Sequence, residues 1–339
     1  MGRPRALVAV LAGALLLAGC GSGPSQVGAA VIIGDKAVSV DRVQGLIDKA
    51  VREQPYAQQL AKDHKLAVLG REVVRQLVLH DVITRAAQQE KLGVNESQLA
   101  QVLQKDPLAM PAPVGPASDA ASSVTEAVLR VRDHRESLTD TLLQQELALK
   151  YLSNLSVTFD YTAVSAPQTQ DGGVSKVSPA ESASLRDQAF EKAKLFASGP
   201  DVAAQALKLE SQSPTSQAVI GQKRPAVQSP AIAATVLFGA PINTVAAFQP
   251  EPGVDFWVVG VIRERTAGAP ISVDQAPKPT SDDLIAIGRR LLEPYLGDVS
   301  FRVNPRYGVW DVVGMDLASS EATKKGIVLP VRGAVQSQP

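Results

Sequence analysis

The sequence predicts an α+β fold in two parts, a helical first half and a mixed second half. One aromatic residue, Tyr56, falls between residues 1 and 150, and the other thirteen lie from Tyr151 onward. Apolar residues recur every three or four positions through much of 42–153, the period of an amphipathic helix. β-Branched and aromatic runs at 30–33, 157–164, 256–262 and 301–313 instead read as strands. With 339 residues, 45% apolar and 20% charged, the chain is long enough for about two domains and can bury a core.

The first twenty residues read as a secretion signal. Arg3 and Arg5 make a positive start, and Ala6 to Ala18 is an apolar run of thirteen residues. Such a run is too short for a ~30 Å hydrocarbon core but suits a signal peptide. Leu17-Ala18-Gly19-Cys20 then resembles the lipobox of bacterial lipoproteins, in which the cysteine is lipidated and becomes the mature N-terminus. Cys20 is the single cysteine, which excludes intrachain disulfides and multi-cysteine metal sites. An ordinary signal peptide with a chance cysteine, or an anchor helix, is the alternative. Residues 21–27 form a Gly/Ser linker with a reach of at most ~25 Å. That linker would hold the folded part at the extracytoplasmic face of a bacterial cell membrane.

The remaining elements follow in order. Ala30-Val31-Ile32-Ile33, the turn Gly34-Asp35 and Lys36-Ala37-Val38 predict a small hairpin. Ser39 or Asp41 can cap a helix over 42–53, and a second helix is expected over 63–91, with Gly93 as its C-cap. Asn95 or Ser97 starts a shorter helix to Gln104, and four prolines mark 106–116 as a loop. The apolar period from Val124 to Leu152 predicts one helix over 121–153, on the order of 45–50 Å long. A strand over 157–164 is followed by a loop over 168–178 and helices over 180–198 and 201–209, the second capped by Asp201. Residues 211–230 read as turns, 231–238 as a short helix, 255–264 as a buried strand and 266–280 as a loop. A helix over 282–296 precedes strand and turn over 301–313, and 319–339 reads as a loose tail.

Composition excludes several classes of function. Lys+Arg and Asp+Glu are equal at 34 each, so no basic field exists to hold nucleic acid. No GxxxxGK[ST] phosphate loop and no Gly-x-Ser-x-Gly elbow is present. His64, His80 and His134 each neighbour an Asp, but adjacent residues on a helix do not face each other, and no two histidines are spaced i,i+4. They read as surface or packing residues, and neither a metal nor a cofactor is expected.

The order of elements resembles the SurA/PrsA family of secreted chaperone-foldases. Ala29 through Val40 is similar to that family's opening hairpin and capped helix. Leu77 through Gln98 is similar to its helix, Gly, Val, Asn/Ser, helix passage, and Val299 through Asp311 to its Asn-Pro-Arg-aromatic-Gly closing strand. The resemblance implies a helical chaperone domain over 28–155, closed by N- and C-terminal strands and completed by a helix and strand at 282–315. It implies an inserted parvulin-like α/β domain over 156–266 and leaves a tail at 316–339. Within that insert, Asp201 to Ala206 looks like a short Phe-Ala-x-x-Ala helix, and Ala233 to Phe238 like a helix ending in a core Phe.

Active parvulins carry a histidine on the first strand and another on the last. Here those positions align with Tyr161 and Trp257, and all three histidines precede residue 150. The resemblance therefore implies the fold without catalytic residues. Tyr161 and Trp257 either pack the sheet or, with Phe238 and Phe248, line a peptide-binding groove. The expected function is a membrane-tethered, ATP-independent chaperone for unfolded or nascent secreted polypeptides. The alternatives are an envelope lipoprotein holding a dedicated partner and a weakly active peptidyl-prolyl isomerase.

Overall fold

The computed structural model describes residues 28–110, 119–166, 177–213, 217–251, 254, 256–269, 278–297 and 299–334. The secretion signal, Cys20 and the linker lie outside them.

The chain opens with a hairpin, β1 (Ala29–Ile33) and β2 (Lys36–Ser39). Ser39 then caps α1 (Val40–Glu53), its hydroxyl accepting from the Arg42 N–H, and Val43, Ile47 and Ala50 form the buried stripe. Helix α2 (Pro55–Lys62) starts on a proline, where a missing N–H costs nothing. The left-handed backbone of His64 (φ 56°) separates α2 from α3 (Leu66–Glu90), so the helix expected from residue 63 begins three residues later. Lys91, at φ 55°, closes α3 by returning its N–H to Ala87 and Gln88, and Gly93 is not the cap. Asn95 caps α4 (Glu96–Gln104).

The long helix expected over 121–153 is two helices, α5 (Ala120–Leu129) and α6 (His134–Leu152). Asp133 takes extended backbone and its carboxylate accepts from the Glu136 N–H, which makes it the start of a new helix inside the apolar period. At 1.5 Å per residue α6 is about 28 Å long, so no extended arm forms.

The second half follows as β3 (Leu155–Ser165), α7 (Pro179–Ala197), α8 (Pro200–Ser211) and β4 (Val219–Pro225). Ser178 and Glu181 form a capping box on α7, whereas α8 starts at Gly199 with Asp201 inside its first turn. The expected short helix is α9 (Pro230–Ala233) plus a 3₁₀ turn at Val236–Phe238, and β5 (Thr244–Phe248) and β6 (Phe256–Ala267) come next. The chain then returns through α10 (Ser281–Arg290), α11 (Glu293–Gly297), β7 (Phe301–Val303), β8 (Val309–Asp311), β9 (Asp316–Ala318) and β10 (Gly326–Pro330). Strand β4 and the ordered end of the chain are departures from the expected turns and tail, and β5 falls in a stretch for which no element was expected.

The architecture is α+β with antiparallel sheets. A three-stranded sheet runs β2-β1-β7, a five-stranded sheet β10-β5-β6-β3-β4, and β8-β9 form a ribbon. Pairing of Val31 with Val303 brings the two ends of the chain together. The Asn-Pro-Arg-Tyr-Gly stretch completes this closure. Asn304 bonds Ala29 and Ala30 through its side chain and backbone, and Tyr307 is buried against Gly70 of α3. Gly308 follows at φ 94°, with a Cβ there set to stand 2.1 Å from the Ala318 carbonyl oxygen. Helix α10 lies across α6 at Gly288, where a Cβ would stand 2.0 Å from the Gln144 carbonyl oxygen.

The five-stranded sheet is covered on both faces. Trp257, Val259 and Val261 of β6 meet Ala189, Ala193 and Phe196 of α7 and Leu207 of α8. Phe159, Phe248 and Ile262 on the opposite face join a core that continues through Phe238 and Leu291 into the helical part.

Candidate functional site: an apolar groove on the sheet

On the sheet face away from α7, the covering layer leaves an open groove of about 210 Å³. Phe159 and Tyr161 of β3, Phe256 and Val258 of β6, Phe248 of β5 and Leu237 of the 3₁₀ turn supply its apolar wall. Gln222 and Arg224 of β4 supply polar lining. Phe159 and Tyr161 stand with ring centroids 5.7 Å apart, planes tilted by 44°.

The structure divides the four residues expected to line a groove. Tyr161 and Phe248 line it, whereas Trp257 and Phe238 do not. In the β3–β6 register Tyr161 faces Gly260 and Val164 faces Trp257. Side chains alternate along a strand, so an offset of three residues puts Tyr161 and Trp257 on opposite faces. Trp257 is 3% exposed and meets Phe190 of α7 edge-on at 5.5 Å, with the Arg186 guanidinium 4.3 Å from that ring on its other side. Phe238 is fully buried, because the tight 3₁₀ turn aims Leu237 at the groove and sends the next residue into the core. Phe159, Phe256, Val258 and Leu237 are lining residues that sequence reasoning missed. The signal was present in the alternation Phe256-Trp257-Val258, whose outer two residues share the parity of the groove face.

The groove holds no carboxylate or imidazole among its lining residues. Asp160, the acid beside Tyr161, is buried on the other side of β3. It accepts from the Gly221 N–H and from Arg263 Nε, both at 2.7 Å, and so ties β3 to β4 and β6. The geometry suits apolar contact with a segment of chain, with hydrogen bonds available at the edge from Gln222, Arg224 and the tyrosine.

The histidines lie elsewhere. His80 on α3 bonds Asp140 of α6 through Nδ1 at 2.8 Å, and His134 Nδ1 lies 2.8 Å from Asp106. The adjacent aspartates are not their partners, but aspartates distant in sequence are. His80, Glu136 and Asp140 bring ligand atoms within 4.8 Å of one another. Arg132 Nη2 nevertheless already contacts both carboxylates, at 2.5 and 3.1 Å, and the Asp140 hydrogen bond holds the His80 imidazole above its ordinary range. The His80 ring and the Arg132 guanidinium already engage these carboxylates, so the cluster ties α3 to α6 through polar contacts.

No protein-family model and no curated protein matches the chain. Among the described residues no helix is long and apolar enough to cross a membrane.

Proposed function

We propose that the protein is a membrane-tethered extracytoplasmic chaperone that holds unfolded or partly folded secreted polypeptides without ATP. The observation that carries this reading is the open apolar groove on the sheet. It gathers four aromatic side chains, the half-buried Tyr161 and Phe256 over the buried Phe159 and Phe248, and no carboxylate or imidazole. Each apolar client side chain that enters would contribute ~1.5–3 kcal/mol at most, offset by ordering of the client, which gives weak and reversible binding. Release then follows when folding buries the segment, so no fuel is required. Hydrophobic contact is non-directional and makes selectivity loose.

The element order supports the family resemblance that suggested this reading. Between β3 and β6 the chain carries the strand, helix, short helix, second short helix and last strand implied for a parvulin-like insert, with β4 and β5 added to that outline. The groove adjoins Tyr161, the position aligned with the first parvulin histidine. The lipid anchor at Cys20 supplies the tether in this proposal.

Protein lacking residues 1–20 should slow the aggregation of a denatured client at stoichiometric ratio. Tyr161→Ser and Phe256→Ser, both at half-buried positions, should each weaken that protection severalfold while leaving the far-UV spectrum unchanged. Absence of protection by the parent chain, or full protection by the double variant, would sink the proposal. A small apolar pocket also suits a proline ring, which favours a second reading as a weak peptidyl-prolyl isomerase. A protease-coupled proline-peptide assay decides it, a rate lost in Tyr161→Ser being the supporting result. A crosslinking pull-down that returns one stoichiometric species would instead favour a dedicated envelope partner.

A further inference from the structure

A second cleft lies in the helical part, distant from the groove in residues and opposite to it in chemistry. It is about 640 Å³ in volume and runs between α2, α3, α5 and the β8–β9 ribbon. Its wall carries apolar side chains, among them Leu60, Val68 and Val124. Five cations, Lys65, Arg71, Arg75, Arg289 and Lys325, line it together with three carboxylates, Asp63, Glu72 and Asp316.

The pairing inside the cleft is uneven. Arg75 holds Glu72 in a two-bond fork, Nε to Oε2 at 2.7 Å and Nη2 to Oε1 at 2.6 Å. Lys325 Nζ meets Asp316 at 2.6 Å, and Lys65 lies 3.9 Å from Asp63. Among the described residues, no ion pair or side-chain hydrogen bond engages Arg71 or Arg289, and Arg289 Nε is buried without a partner. Burial, reinforced by the neighbouring Arg75 guanidinium, pushes Arg289 down to about 10. It stays charged at neutral pH all the same. An unpaired guanidinium out of water is costly, and structures normally pair it. Arg71 and Arg289 are both half-buried, with only Arg289 Nε shut away from water, and both face the open cleft without a carboxylate in hydrogen-bond contact, which leaves room for a counter-charge.

We propose that this cleft binds an acidic peptide segment, a carboxylate of the peptide pairing with Arg289 and Arg71 while an adjoining apolar side chain packs on Leu60, Val68 and Val124. A carboxylate matches the planar guanidinium fork in two parallel hydrogen bonds. The mixed wall selects a ligand that is acidic and apolar together, which a peptide offers and a bare inorganic anion does not. This site is independent of the proposed sheet groove.

Fluorescence anisotropy with a labelled eight-residue peptide of alternating Glu and Leu tests the proposal, using the chain without residues 1–20. The Glu peptide should bind at least tenfold more tightly than its Gln-for-Glu counterpart, and added salt should weaken it. Arg289→Met should lose tenfold or more in affinity while its melting temperature stays level or rises, because no hydrogen bond is lost and a buried, unpartnered Nε is removed. A merely structural arginine would lower the melting temperature instead. Arg71→Met provides the same affinity test should Arg289→Met fold poorly. Tyr161→Ser should bind the Glu peptide as the parent does, which separates this site from the groove. Equal binding of the Glu and Gln peptides, unchanged affinity in both arginine variants, or displacement by inorganic phosphate at equal concentration would overturn the assignment.

Discussion

The buried Glu293 and the half-buried His80 give this protein a pH dependence that its neutral net charge conceals. Burial pushes the Glu293 carboxyl up to about 7, and the Arg290 guanidinium 3.0 Å away opposes that rise only in part. The Asp140 hydrogen bond raises His80, with burial opposing it. Both groups bind a proton more tightly in the folded chain than in the unfolded one. Their contribution is therefore fully present below the unfolded values, near 4.5 and 6.5, and is lost as pH rises through the folded values. Burial raises Asp311 as well, and it acts in the same direction. Glu72 and Glu90 are lowered by their basic and hydrogen-bonding partners, and their stabilisation is lost only as pH falls below ~4.5. Stability should accordingly peak near pH 5 and decline toward pH 8. Glu293→Gln should flatten the decline between pH 4.5 and 7, an effect on the order of 3 kcal/mol. Thermal melts of both proteins across pH 4–8 check this, and parallel curves would contradict it.

At the scale of elements, what was legible depended on whether the signal was local. The opening hairpin, α1 with its Ser39 cap and the buried strand β6 were readable because their apolar periods and caps lie within a few residues. The break between α5 and α6 was not, because Val124, Val128 and Leu138 continue a helical period across it and only the Asp133 cap interrupts the backbone. The face of Trp257 was lost for a different reason, since a shift of one residue in strand alignment moves every side chain to the other face. Strand β10 was hidden by its distance from its partner. Ile327-Val328-Leu329 is a β-branched apolar run, but it follows the polar stretch 319–325 and pairs with β5, some eighty residues earlier, Gly326 against Phe248 and Pro330 against Thr244. Ile327, Leu329 and the buried Val331 add to the core beneath α7. Deleting residues 326–339 should uncover the β5 edge and remove those contacts. A fall in melting temperature on the order of 10 °C follows from several kcal/mol in a chain of this size. Because Phe248 of the groove sits on β5, client protection should fall as well. An unchanged melt would show that β10 is dispensable.

At the scale of the molecule, the chain leaves the helical part after α6, builds four strands of the five-stranded sheet, returns at α10 and crosses back to add β10, so three crossings join the parts. Two features fasten them beyond chain connection. One core runs from α3 through Leu291 and Phe238 to Phe159. Arg290 donates to the Ala234, Val312 and Val313 carbonyls at 3.4, 3.0 and 2.6 Å, bridging the α9 region and the turn between β8 and β9. Within the helical part itself, Glu90 at the end of α3 accepts from Lys150 and Tyr151 at the end of α6 and from Tyr295 of α11. A shared core and buried polar ties of this kind predict one cooperative transition, unlike two domains on a linker. The two tryptophans report on opposite sides of the joint, Trp257 in the core under α7 and Trp310 beside Phe301 in the closing strands. Single-tryptophan proteins made by Trp257→Phe and Trp310→Phe should each melt with fluorescence and far-UV dichroism coincident. Arg290→Met removes the donor shared by Glu293 and the Ala234, Val312 and Val313 carbonyls and should cost about 3–5 kcal/mol, lowering the midpoint at both tryptophans together. Midpoints that separate by more than a few degrees, or a loss confined to Trp310, would show that the sheet folds as its own unit and that the joint is only a contact.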